Sequence, residues 1–201
     1  MSKPKAIYIV GGAGSGKSTL MGWFLEHIQA ELQPLTDMHV KRNKRFRVTL
    51  RGQAFDSAVG PGVYLGLMRD KHPGTDGLDR ASTPTAVEWL EVGDLLGELP
   101  AIVAEGATLS TKAFFQKLAE THDLLVVHLV VSEEERQRRF DQRGTTQKDL
   151  FVKSTISRGR NMAEFASGLG AEVLTGDTSE DGVAAELVHY MEDFLKGEMD
   201  E

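Results

Sequence analysis

With 201 residues, 40% of them apolar and 26% charged, the chain has the material for one sizeable core, and this composition excludes disordered and fibrous classes. The absence of cysteine excludes disulfides, thiol nucleophiles and thiolate metal centres, and a net charge of -7 excludes a protein that coats nucleic acid over its whole surface. No apolar run is long enough to span a membrane, and the N-terminal residues lead directly into an apolar strand, so a soluble cytoplasmic protein is expected.

Taken in chain order, the first expected element is a strand over residues 6–11, then a glycine-rich loop and a helix over residues 17–32. Two strands follow within residues 46–69, joined by the turn-forming AFDSAVGPG. Thr83-Pro84 has the form of an N-cap and first-turn proline, opening a helix to residue 96. A strand over residues 101–106 and a helix over residues 110–120, capped by Ser110, come next. DLLVVHLVV, residues 123–131, is the strand expected to be most buried. Ser132 and Glu135 have capping-box spacing and begin an arginine-rich helix that stops at Gly144. A polar loop, a helix over residues 150–167, a strand over 171–176 and a helix over 180–195 complete the pattern. Strands alternating with helices predict an α/β fold with a mostly parallel sheet between helices, and neither repeat nor linker divides it, so residues 1–201 are read as one domain.

The loop between the first strand and helix carries the chemistry. Gly11, Gly12, Ala13, Gly14, Ser15, Gly16, Lys17, Ser18 and Thr19 fit G-x-x-x-x-G-K-[ST], placed as that motif requires after a strand and at a helix start. Glycines let successive backbone N–H groups converge on anionic oxygens, and the helix N-terminus adds partial positive charge. Lys17 would reach the β- and γ-phosphates of a nucleoside triphosphate, and the Ser18 hydroxyl would ligate Mg²⁺. Glu105 ends an apolar strand at the edge where α/β sheets bind ligands, so it could hold Mg²⁺ or take a proton from an acceptor. Asp76, in the loop HPGTDGLD, is a second candidate base, or pins the edge of a nucleobase.

Arg136, Arg139 and Arg143 recur at helical spacing and so share one face, and Arg158 and Arg160 follow on the next helix. The run Arg139-Phe-Asp-Gln-Arg143-Gly144 resembles the lid of small-molecule P-loop kinases, nucleoside monophosphate and thymidylate kinases in particular. That resemblance implies a P-loop NTPase fold, ATP and Mg²⁺ as cofactors, and a lid over about residues 139–160 whose Arg139, Arg143 and Arg158 close over the triphosphate. Over most of the chain, GGAGSGKST, GTDGLD ahead of a helix with AVEWL, AEGATLS, and RRFDQRG followed by NMA are together similar to phage-encoded P-loop nucleotide kinases. Those include kinases of 5-hydroxymethyluracil in DNA, which implies a bacteriophage protein acting in the host cytoplasm on a DNA base or a related nucleotide.

One local charge cluster bears on the acceptor. Lys41, Arg42, Lys44, Arg45 and Arg47 crowd a short stretch of an acidic chain, with Phe46 among them, and suit a nucleic-acid backbone with a stacking base. A solvated edge strand protected by its lysines and arginines accounts for them equally. The six histidines show no metal-ligand spacing along the chain, and His128 within DLLVVHLVV is expected to be a core or strand-end residue.

Overall fold

A computed structural model describes residues 3–42, 47–68 and 73–198. Among these are eight strands, which form one continuous sheet, and six helices, which cover both of its faces, an architecture of the α/β class. The strands are β1 (Lys5–Gly11), β2 (Glu31–Leu32), β3 (Thr36–Arg42), β4 (Arg47–Asp56), β5 (Gly62–Leu65), β6 (Ala101–Glu105), β7 (Asp123–Val130) and β8 (Glu172–Asp177). The helices are α1 (Lys17–His27), α2 (Ser82–Leu96), α3 (Lys112–Thr121), α4 (Glu133–Gln142), α5 (Asp149–Gly168) and α6 (Val183–Lys196).

Strands β5, β6, β1, β7 and β8 run parallel in that spatial order, with β4 antiparallel to β5 and both β2 and β3 pairing β4. The chain leaves β1 in one direction to build β5 and β6 and later crosses to the other side for β7 and β8. Such a reversal of strand order opens a crevice beyond the carboxyl ends of the strands, and the loop after β1 sits there.

Alternation along β1 divides the core. Ala6, Tyr8 and Val10 face α2, α3 and α5, packing with Ala86, Leu90, Phe114, Phe115, Leu118 and Met162. Ile7 and Ile9 face α1 and α6, packing with Phe24, Leu25, Leu187 and Met191. Because both faces of the parallel strands are covered, they read as continuous apolar runs. Each fully buried large side chain contributes roughly 1.5–3 kcal/mol relative to exposure.

Several boundaries differ from expectation for local reasons. Helix α1 stops at His27, five residues before residue 32, because Gln29 turns left-handed (φ 54°) and Ala30 N donates to Leu25 O at 2.8 Å, releasing the chain into β2. Two additional strands, β2 and β3, precede the two expected in residues 46–69. Helix α2 begins at Ser82 without a side-chain cap; Thr83 is inside it, and the Asp79 carboxylate accepts from Ala81 N instead. Thr111, and not Ser110, caps α3 through its contact with Phe114 N. Ser132 caps α4 as expected, but Glu135 turns its carboxylate to Arg138 and Arg139 and leaves the Ser132 N–H to Ser179. No helix among the described residues is long and apolar enough to cross a membrane.

Candidate functional site

The loop from Gly11 to Gly16 turns through left-handed backbone at Gly14 (φ 78°) and Gly16 (φ 90°) before α1 begins. Gly16 offers no side-chain cap, and the first helical turn finds no carbonyl partner among the described residues until Leu20 N reaches Gly16 O at 2.9 Å. The N–H groups of Lys17, Ser18 and Thr19 are therefore left as donors for an anion at the positive end of the helix. Ser15 Oγ, buried within the same loop, also has no hydrogen-bond partner among the described residues. Lys17 Nζ lies across the mouth of the loop, donating to Gly11 O and Gly12 O, each at 3.1 Å. Burial lowers its pKa, while Glu105 and Asp76 pull it back up.

Glu105 is 1% exposed at the end of β6, next to β1. Its Oε1 accepts from Ser18 Oγ at 3.0 Å, so hydroxyl and carboxylate already share one point between them. Desolvation pushes the Glu105 carboxyl up to about 7, against the opposing pull of Lys17 and the Ser18 hydrogen bond. A Cβ on Gly74 would stand 2.3 Å from Glu105 Oε1, and Gly74 also has φ 63°, so glycine alone fits this wall of the site. Beyond Gly74, Thr75–Gly77 forms a 3₁₀ turn. Asp76 Oδ1 accepts from Ala107 N at 2.6 Å, tying the turn to the end of β6. The buried Tyr8 hydroxyl donates to Gly106 O at 3.0 Å and lies 3.2 Å from Thr75 Oγ1, which fixes the same junction from below.

Helix α5 lies against the phosphate loop. Ala13 N donates to Thr155 Oγ1 at 2.9 Å, and a Cβ on Gly159 would meet Gly11 Cα at 2.9 Å, so the helix and loop backbones touch at two glycines. The arginines divide between structural and open positions. Arg139 donates from Nη1 to Gly14 O and Thr178 Oγ1, from Nη2 to Thr178 O and from Nε to Glu135, a set of bonds that clamps the loop from outside. The expectation that Arg139 closes over the triphosphate meets a guanidinium already committed to backbone and to the residue after β8. Arg136 likewise donates to Val131 O. Arg143, exposed at the end of α4, lies close enough to Lys17 to help lower its pKa. Arg158 is exposed on α5 and lines the cavity, whereas Arg160 pairs with Glu164 away from it.

That cavity, about 1090 Å³, opens beside Lys17 and Asp76 and is lined further out by Arg80, Ser110, Lys112, Phe151, Arg158 and Asn161. Sequence reasoning named Lys17, Asp76 and Arg158 among these. It missed Tyr8, Arg80, Lys112 and Thr155, which gather from separate elements and carry no motif of their own.

The cation-rich stretch forms the facing edges of β3 and β4. Lys41 pairs with Glu88 at 2.7 Å, and Arg47 and Arg51 pair with Asp37 at 3.6 and 3.2 Å. Lys44, Arg45 and Phe46, and the Arg42 side chain, lie outside the described residues. His128 is partly buried on β7, where desolvation lowers its pKa.

Comparison with known proteins completes the picture. Shikimate kinase from Acinetobacter baumannii, solved in complex with shikimate, is 15% identical with a TM-score of 0.45, with 98% of this chain and 96% of that chain covered. No curated protein matches the sequence. The model of the P-loop Nucleotide Kinase3 family matches residues 2–191. The strand, glycine loop and helix that hold Lys17 and Ser18 against Glu105 thus lie in a chain that belongs to the P-loop Nucleotide Kinase3 family.

Proposed function

We propose that the protein is an ATP- and Mg²⁺-dependent kinase that moves the γ-phosphoryl group to a hydroxyl of a nucleotide held in the cavity beside Asp76. The observation that carries this reading is the Ser18–Glu105 contact at the open end of a donor-rich loop. A hydroxyl suited to ligate a metal and a buried acid meet there, next to a cavity of about 1090 Å³. P-loop kinases generally use ATP and Mg²⁺.

The free loop amides, those of Lys17, Ser18 and Thr19 among them, and the Lys17 ammonium would hold the polyphosphate, and Ser18 would hold Mg²⁺ with Glu105 reaching it through the cation's water shell. The cation, when bound, supplies charge neutralisation at the transferring phosphoryl group. Lys17 would leave the carbonyls of Gly11 and Gly12 for phosphate oxygens. Glu105, whose burial raises its carboxyl to about 7, is suited to accept the acceptor's proton near neutral pH. Asp76 is the weaker candidate base, since Oδ1 is taken by Ala107 N; it positions the acceptor wall. Arg143 and Arg158 would bring charge over the transferring group as residues 139–160 move as a lid on a single domain spanning residues 1–201. Arg139 would anchor the lid.

A hydroxymethylated base within DNA is a second reading of the acceptor, favoured by the cations of β3 and β4. The pairing of Lys41 and Arg47 with acidic residues weighs against it and favours a free nucleotide. Labelled γ-phosphate from ATP, offered with deoxynucleoside monophosphates, plain DNA, DNA containing 5-hydroxymethyluracil and RNA, tests both readings. Label on a hydroxyl of the free nucleotides supports the first, label on their 5′-phosphate makes the protein a deoxynucleoside monophosphate kinase instead, and transfer confined to the modified DNA supports the second. Nucleotide binding without transfer to any of these acceptors would replace the kinase with a nucleotide-dependent binding module.

A further inference from the structure

The sequence shows no histidine pair at ligand spacing, yet the fold brings two histidines and a carboxylate together far from the phosphate loop. His27 is the last residue of α1; His189 and Glu192 lie three apart on α6, so they share a face of that helix. These two helices pack on the same side of the sheet. His27 Nε2 stands 2.7 Å from Glu192 Oε2 and His189 Nδ1 stands 4.0 Å from the same oxygen. All three ligand atoms fall within 4.8 Å of one another, and the imidazole rings meet edge to face at 4.8 Å between centroids.

We propose that His27, His189 and Glu192 form a binding site for a late divalent transition metal, Zn²⁺ in the first instance, that clasps α1 to α6. Two imidazoles and one carboxylate are a zinc-type donor set that leaves a fourth position for water. With metal–ligand bonds of about 2.0–2.1 Å, ligands on a tetrahedron lie roughly 3.3 Å apart. The observed separations bracket that value, so small side-chain rotations on a solvent-facing surface complete the geometry. The second carboxylate oxygen, Oε1, accepts from Lys196 Nζ at 2.9 Å, which orients Glu192 with Oε2 toward the histidines, as an outer-shell partner does. Hard Mg²⁺, which prefers oxygen ligands, would not compete here, so the site is chemically separate from the one at Ser18 and Glu105.

The untagged protein, stripped with chelator and held in excess Mg²⁺, is titrated with Zn²⁺ against a chromogenic chelator and with Co²⁺ followed by visible absorption. His189→Ala and His27→Gln are measured alongside. His189 is 66% exposed at its side chain, so its truncation leaves the core intact. The expected result is one equivalent of Zn²⁺ bound by the wild type, affinity at least tenfold weaker in both variants, and a tetrahedral Co²⁺ spectrum present only in the wild type. Zn²⁺ should also raise the unfolding temperature of the wild type and leave His189→Ala unmoved. Equal binding by all three proteins, or no stoichiometric binding by the wild type, would overturn the site and leave the cluster an ordinary surface ion pair.

Discussion

The carboxyl end of β1 and the β3–β4 edge both concentrate charge, but they hold it differently. At the phosphate loop, Glu105 is buried and Lys17 is partly buried against the loop backbone, and burial shifts both ionisable groups. On β3 and β4, Lys41, Arg47 and Arg51 reach acids across a solvated surface, with side chains roughly half exposed. Water screens the second set fully and reaches the buried Glu105 carboxylate far less, so one region can direct chemistry and the other mainly keeps a strand edge soluble.

Glu105→Gln should show the largest effect on the buried side. It removes the proton acceptor and metal partner together, and phosphoryl transfer should fall on the order of 10²–10³-fold. Wild-type kcat/KM should rise with pH through about 7 as Glu105 ionises, and the residual rate of the variant should lose that limb. Stability responds with a defined sign. A carboxyl raised from 4.5 to about 7 on folding favours the folded state at low pH, and this advantage is lost as pH rises from 4.5 through 7. Urea melts at pH 8 should therefore find the Gln variant more stable than the wild type, by about 3 kcal/mol at most, with the gap closing toward pH 4.5. A pH-independent difference would place the Glu105 carboxyl in its ordinary range.

Gly159→Ala comes next. A methyl group there would stand 2.9 Å from Gly11 Cα, and the resulting strain should cost about 1–3 kcal/mol and weaken nucleotide binding. Helix propensity alone predicts the reverse, a gain of about 1 kcal/mol. A denaturant melt of this one variant decides whether α5 truly rests on the loop. The smallest effect is expected on the exposed side: Lys41→Gln or Arg51→Gln should change stability by less than about 1 kcal/mol. A larger loss in the melt would erase the contrast between the two regions.

Much of the fold was legible because its signals are local. The nine residues of the phosphate loop are contiguous, and the parallel strands announce themselves as apolar runs between amphipathic helices. What escaped was non-local or masked by charge. Strand β3 reads TDMHVKR, which looks like a polar loop until β4 pairs with it. The end of α1 depends on one left-handed residue, Gln29, in a stretch with helical composition. Within the site, Glu105 could be placed by its strand end. The commitment of Arg139 could not, since its partner Thr178 lies 39 residues further along the chain, just after β8. Tyr8 reads as a core residue, and only the fold brings its hydroxyl to Thr75 and Gly106.

The central claim is that the loop after β1 grips a metal-bound triphosphate through backbone donors and one ammonium group. Equilibrium titration of Mg·ATP into the wild type and Lys17→Ala tests it most directly. Affinity should fall by at least tenfold in the variant, with the folded state retained; unchanged affinity would contradict the account.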